Sequence, residues 1–147
     1  MAWLPKSCVV VPIDYSESSQ GAIITALEFV TDPSHVHVMH VLLPARDRDQ
    51  LAEWAVSPEG EAWDDVGRAY LADFLQRHNV ASVTQAVRLG DPGFAITDYA
   101  RDNHADLIVI PSHGYHGLKR LLLGSVAERV IRYAGCPVLV LRRSAAD

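Results

Sequence analysis

No stretch of the 147-residue chain is apolar for long enough to cross a membrane. Basic runs and Arg/Lys stripes are also missing, and the formal net charge is −5, which argues against non-specific nucleic-acid binding. Cysteine is scarce: Cys8 and Cys136 stand far apart and form no CxxC pair. They read as two buried thiols beside strands in a reducing compartment. The first residues, "MAWLPKSCVVVPIDYS", have a short apolar run but no small-residue cleavage site, so they read as a first strand and not as a signal peptide. A cytoplasmic location follows as the expectation. Neither a G-x-S-x-G nucleophile elbow nor a G-x-G-x-x-G dinucleotide fingerprint occurs. Internal repeats, linkers and low-complexity tracts are absent as well.

What is present is the composition of a folded domain: 49% hydrophobic and 21% charged residues, in a length that suits one domain over 1–147. "SCVVVPI" (Ser7 to Ile13) is a β-branched run of strand length. Ser16 can cap a helix that runs to Glu28 or Val30, with Ile23, Leu27 and Val30 on one face. "VHVMHVLL" (Val36 to Leu43) is a second strand. Pro44 to Pro58 is irregular and holds an isolated Trp54. Glu59 to Arg77 is predicted helical, with Trp63, Val66, Tyr70 and Phe74 on one stripe, core in character. Ser82 to Arg88 is a third strand. Asp91 then Pro92 is a cap followed by a first-turn proline, and that helix turns Ile96, Tyr99 and Ala100 inward. Leu107 to Ile110 is a fourth strand. Gly124 to Tyr133 is a helix with Val126, Val130 and Ile131 along one face, and Val138 to Leu141 is the last strand.

Strands that are apolar throughout, alternating with helices, predict a parallel sheet covered on both faces, an α/β fold of the open doubly wound kind. Ligands of such sheets bind beyond the carboxyl ends of the strands, where the winding reverses. The residues there are Pro12, Ile13 and Asp14 after strand one, Val41 in strand two, and Pro111 to Gly114 after strand four.

Gly124 and Ser125 open the last helix, and a helix N-terminus attracts phosphate through its unpaired N–H groups and partial positive charge. Gly124 admits close approach, Ser125 adds a hydroxyl and Val126 an N–H; alternatively, Ser125 is simply a cap. Gly114 and Gly117 can expose successive N–H groups in the preceding loop. His113 stands in the turn that leaves strand four. Lys119 and Arg120 read as solvated, and His116 as an exposed loop residue. Asp14 is either an acceptor for a ribose or base, with an outer role toward a phosphate-bound Mg2+, or a turn residue ahead of the first helix. His35, His37 and His40 cluster in strand two without the further ligands of a metal site, and read as surface or hydrogen-bonded residues. A phosphate-accepting receiver domain needs paired acids after strand one and an acceptor aspartate after strand three. Only Asp14 is at the first place, and Asp91 at the second is taken as a cap.

"VVVPIDYSESS", "VMHV" and "SHGYHGLKRLLLGSVAERVIRYAGCPVLVL" together resemble the universal stress protein family over nearly the whole chain. The resemblance implies a five-stranded parallel sheet of order 3-2-1-4-5 and a dimer. It also implies, for one branch, ATP bound through a glycine, two residues, a second glycine, nine residues, then glycine with Ser or Thr. Gly114 matches the second glycine, Tyr115 to Leu123 the spacer, and Gly124-Ser125 the closing pair. Pro111 stands where the first glycine belongs. The resemblance places Asp14 and the Val41 backbone near adenosine, and His113, Gly114, Ser125 and Val126 near phosphates. The candidate nucleotide site is thus Pro12, Ile13, Asp14, Val41, Ile110, Pro111, His113, Gly114, Gly124, Ser125 and Val126. Proline has no N–H and a fixed φ, so Pro111 is expected to weaken or reshape a ribose contact by about two- to tenfold without abolishing binding.

The function expected is that of an ATP-binding, nucleotide-responsive stress factor, with Mg2+ accompanying the nucleotide, acting as a homodimer through the last strand. No residue supplies a general base aimed at a γ-phosphate, which favours a binding module over an enzyme. The alternatives are a slow ATPase or self-phosphorylating protein with Ser125 as acceptor, and a dimeric stress factor that binds no nucleotide. The last strand, "CPVLVL", is an edge in the order 3-2-1-4-5, and its unprotected middle is expected to pair with a second subunit at Val138 and Val140 or their neighbours.

Overall fold

The computed structural model describes residues 2–43, 63–112 and 124–142, with Trp63 described through its backbone alone. Five strands form one parallel sheet: β1 (Val9–Pro12), β2 (Val36–Leu42), β3 (Thr84–Leu89), β4 (Leu107–Pro111) and β5 (Val138–Leu141). Their order is β3-β2-β1-β4-β5, as expected. Between them lie α1 (Glu17–Leu27), α2 (Trp63–Arg77), α3 (Pro92–Asp102) and α4 (Ser125–Tyr133). The chain winds outward from β1 through β2 to β3, then crosses back to β4 and β5. The reversal falls between β1 and β4, which marks their carboxyl ends as the place for a ligand.

Strand side chains alternate between faces, and here both faces are covered. Val9, Val11 and Ile13 pack with Ala22, Ile23 and Ala26 of α1 and with Leu71, Phe74 and Leu75 of α2. Val10 points the other way, with Met39, Ile108 and Ile110, toward Ile96 and Tyr99 of α3 and Ala127 and Val130 of α4. That is why the strands carry apolar runs without alternation. Each fully buried aliphatic side chain stabilises the fold by about 1.5–3 kcal/mol.

The ends of β1 are set by side chains. Asp106 accepts the N–H groups of Ser7 at 2.9 Å and Cys8 at 3.0 Å, so the ladder begins only at Val9. On α3, Asp91 accepts the Phe94 N–H at 3.1 Å with Pro92 in the first turn, as the cap pattern predicts. Two predicted inward residues are corrected. Tyr70 is 57% exposed, because the buried stripe of α2 runs through Gly67, Leu71, Phe74 and Leu75. Gly67 lets α2 lie close on the sheet: a Cβ there would stand 3.0 Å from Val87 Cγ1. Ile131 is 44% exposed, since α4 turns Ala127 and Val130 to the core. The expected helical turn at residues 59–62 and the irregular segment Pro44 to Pro58 lie outside the described residues.

Candidate functional site

The site is built on strand ends whose hydrogen-bond ladders stop early. β1 pairs with β2 only as far as Pro12 opposite Met39, and the Ile13 N–H then donates to Met39 O at 2.8 Å. Backbone groups alternate along a strand. Since Met39 O faces β1 and Leu42 O faces β3, accepting Gly90 N–H at 3.0 Å, the Val41 N–H and C=O face the β1 side. There β1 has already ended. Val41 therefore presents a donor and an acceptor together on the β1 side.

The acceptor that would otherwise continue this ladder, Ile13 O, is met by a side chain. His40 Nδ1 lies 2.8 Å from it. A carbonyl can only accept, so Nδ1 carries the proton. The His40 ring packs against Tyr15 at 4.5 Å, and Tyr15 packs in turn against Tyr70 at 4.8 Å and Phe74 at 5.1 Å. Burial pulls the His40 pKa below the ordinary histidine value, opposed by the bond to Ile13 and by the Asp14 charge. His37, on the opposite face, bonds Tyr99 Oη through Nδ1 at 2.7 Å, and burial lowers its pKa as well. His37 and His40 are thus hydrogen-bonded groups, as expected, whereas His35 ends a 3-10 turn (Pro33–His35) ahead of β2 and is not part of the strand. Among the described residues no three His, Cys, Asp or Glu side chains form a metal cluster.

Asp14 follows β1 in a tight turn. Its Oδ1 accepts the Ser16 N–H at 3.0 Å and the Ser19 hydroxyl at 3.1 Å, while the Asp14 N–H donates to Ser19 Oγ at 3.3 Å. Ser19 is fully buried. Ser16 occupies the N-cap position of α1 but makes no side-chain cap bond; its hydroxyl lies 2.9 Å from Ser18 Oγ instead. Tyr15 takes a left-handed backbone, φ 64°, which turns the chain into α1. The two readings of Asp14 are compatible: Oδ1 makes the turn, and Oδ2 takes no part in it.

Across the reversal point, β4 ends at Pro111, opposite Leu141 of β5. The Ser112 N–H donates to Leu141 O at 2.9 Å, and Ser112 O accepts the Gly124 N–H at 2.7 Å. Gly124 is the N-cap residue of α4, in extended conformation (φ −63°, ψ 154°), and Ser125 is the exposed first helical residue rather than the cap. Val126 is half-buried. The helix is anchored from behind: Arg129 Nη1 lies 2.7 Å from Asp91 Oδ1, and its stem crosses Gly93, where a Cβ would come within 2.5 Å of Arg129 Cδ. Of the candidate set, Pro12, Ile13, Asp14, Val41, Ile110, Pro111, Gly124, Ser125 and Val126 are described, all at the carboxyl end of the sheet or the start of α4. His113 and Gly114 lie outside the described residues. Sequence reasoning missed Ser19 and the bond from His40; both depend on where β1 parts from β2.

The five-stranded sheet of order β3-β2-β1-β4-β5, with helices on both faces, is a doubly wound α/β fold. Residues 8–142 match the model of the universal stress protein family, and the chain belongs to that family. It is 36% identical over 144 residues to universal stress protein MJ0531 of Methanocaldococcus jannaschii, covering 92% of this chain and 81% of that one. The solved structure of protein MJ0577 from the same organism superposes with a TM-score of 0.76 at 26% identity, over 97% of this chain and 99% of the other. The folds of a universal stress protein in complex with cAMP and of one from Archaeoglobus fulgidus in complex with dAMP also match. Each is 23% identical. Their TM-scores are 0.62 and 0.57, over 95% and 97% of this chain and 99% and 100% of theirs. No helix among the described residues is long and apolar enough to cross a membrane.

Proposed function

We propose that this protein binds ATP, or a related adenine nucleotide, in the crevice between the carboxyl ends of β1 and β4. It acts as a nucleotide-responsive stress factor rather than as an enzyme, in the cytoplasm and as a homodimer through β5. The observation that carries this is the backbone of Val41, whose N–H and C=O face the position β1 has vacated. Adenine offers an acceptor ring nitrogen beside an amino donor, the complement of that pair. Asp14 Oδ2 is suited to a ribose or amino group. The N-terminus of α4 at Gly124, Ser125 and Val126, with His113 and Gly114 before it, is suited to phosphate. Adenine nucleotides bound to two structural neighbours support the same ligand class.

Mg2+ fits only as a companion of the phosphates. Asp14 is half-buried with Oδ1 committed to the turn, which leaves one oxygen for an outer contact through water. For the dimer, β5 is a sheet edge whose residues are all half-buried in the single chain. Native mass spectrometry of the purified protein tests both parts at once. A mass increment of an adenine nucleotide on a two-subunit species is expected. A bare monomer that takes up no added ATP would overturn the proposal.

A further inference from the structure

The ladder between β1 and β2 is stopped by two residues, one on each strand. In a parallel ladder the bonds alternate in direction between the two strands at even spacing. The Ile13 N–H donates to Met39 O at 2.8 Å. The next bond in that series would run from the Val41 N–H to Ile13 O, and the one after it from the Tyr15 N–H to Val41 O. The register stops at Pro12 opposite Met39, before either of them. His40 Nδ1, 2.8 Å from Ile13 O, occupies the acceptor that the Val41 N–H would use. Tyr15, at φ 64°, leaves the extended conformation where its own N–H would come opposite Val41 O.

The two blocks touch. The rings of His40 and Tyr15 stand 4.5 Å apart, and Tyr15 is backed by Tyr70 at 4.8 Å and Phe74 at 5.1 Å, both on α2. The imidazole is therefore held over Ile13 from outside the sheet. Val41 and Ile13 are both buried, and buried backbone groups are ordinarily paired. Ile13 O has its partner in His40, and the Val41 N–H is left facing the crevice. We infer that His40 is a positioning residue for the adenine ring: by occupying Ile13 O it keeps β1 and β2 from closing and holds the Val41 N–H open for a ligand acceptor. Tyr15 does the same for the Val41 C=O through its turn, and clamps the imidazole in place. His40 itself touches no ligand. The ligand in this inference rests on the nucleotide reading above, but the open strand end has a signature in the free protein.

Hydrogen exchange of the ligand-free protein reads that signature. In wild type the Val41 amide should exchange about tenfold or more faster than that of Met39, which lies inside the ladder. His40→Leu keeps the bulk and removes the donor, so Ile13 O becomes available and the Val41 amide should slow to the rate of Met39. Adenosine binding by that variant should weaken by about two- to tenfold, the equivalent of one hydrogen bond. His40→Asn restores a donor for Ile13 O and should restore both fast exchange at Val41 and adenosine affinity. Circular dichroism confirms that the variants are folded, and the wild-type comparison stands even if His40→Leu is not. A wild-type Val41 amide as slow as that of Met39 overturns the inference. So does a folded His40→Leu protein with unchanged Val41 exchange or unchanged adenosine affinity, and each of these results leaves the nucleotide site standing. No adenosine binding by wild type overturns the nucleotide reading instead, and the exchange of Val41 still decides whether His40 holds the strands apart.

Discussion

The Gly124 N–H donates to Ser112 O at 2.7 Å, and this bond ties the mouth of α4 to the end of β4. The sheet thereby fixes where the helix begins. Gly124 is extended, not left-handed, so a side chain at this position is compatible with the backbone. Gly124→Val should therefore fold, at a cost within the roughly 2 kcal/mol typical of a poor N-cap. It should weaken ADP binding by about tenfold or more, by crowding the phosphate approach. Adenosine affinity should change much less. An equal loss for both ligands means the phosphates do not sit at α4.

Acid should loosen the fold through its histidines. His37 and His40 are both held below the ordinary value of 6.5, chiefly by burial. Their stabilising contribution is complete above about pH 6.5 and is lost as pH falls through the lower folded values, because the unfolded chain takes up protons first. The urea midpoint should drop between pH 7.5 and pH 5.5. His40→Asn keeps a donor for Ile13 O without titrating, and combined with His37→Gln it should flatten that drop. An equally steep drop in the double variant would assign the pH response to other groups.

The two cysteines should remain separate thiols. Both are free, and β4 lies between the strands they precede. Two strand spacings are about 9–10 Å, beyond the roughly 7 Å Cα limit of a disulfide. Burial first, then the charge of Asp106, pushes the Cys8 thiol up to about 11, and Cys136 is raised for the same reasons. At pH 8 native protein should leave Cys8 unalkylated by iodoacetamide while Cys136 reacts slowly. A Cys8–Cys136 peptide in a non-reducing map would contradict the strand order.

The edge strand gives a test of assembly. Val138 and Val140 join the cluster under α3 and α4, whereas Leu139 and Leu141 join the opposite one, so β5 offers its backbone edge between two half-covered faces. Val140→Lys should shift the protein from dimer to monomer in sedimentation at micromolar concentration, with its circular dichroism retained. A folded variant that stays fully dimeric places the interface elsewhere.

The sheet was legible because its evidence is local: each strand is a short β-branched run, and the Asp91-Pro92 cap marks α3 without any tertiary information. Helix faces were less legible where one residue of rotation decides burial. Tyr70 and Leu71 differ by one position, and the helix seats Gly67 and Leu71 on the sheet and leaves Tyr70 exposed. Within the site, Asp14, Val41 and Gly124 could be placed by counting to strand ends. Pro111 could be read only as one lost donor, because what lies beside it across the β1–β4 seam is known only once the register, Val10 opposite Ile108, is known. The bond from His40 to Ile13 has the same origin.

The central claim is tested most directly by calorimetric titration of ATP into nucleotide-stripped wild type and Asp14→Asn. The substitution keeps Oδ1 for Ser16 and Ser19 and removes the charge at Oδ2, so folding should be retained. Wild type should show saturable binding, and the variant should bind about ten- to a hundredfold more weakly, the equivalent of one charged hydrogen bond. No heat with wild type at millimolar ATP, or identical isotherms for the two proteins, would contradict an adenine-nucleotide site at the carboxyl ends of β1 and β4.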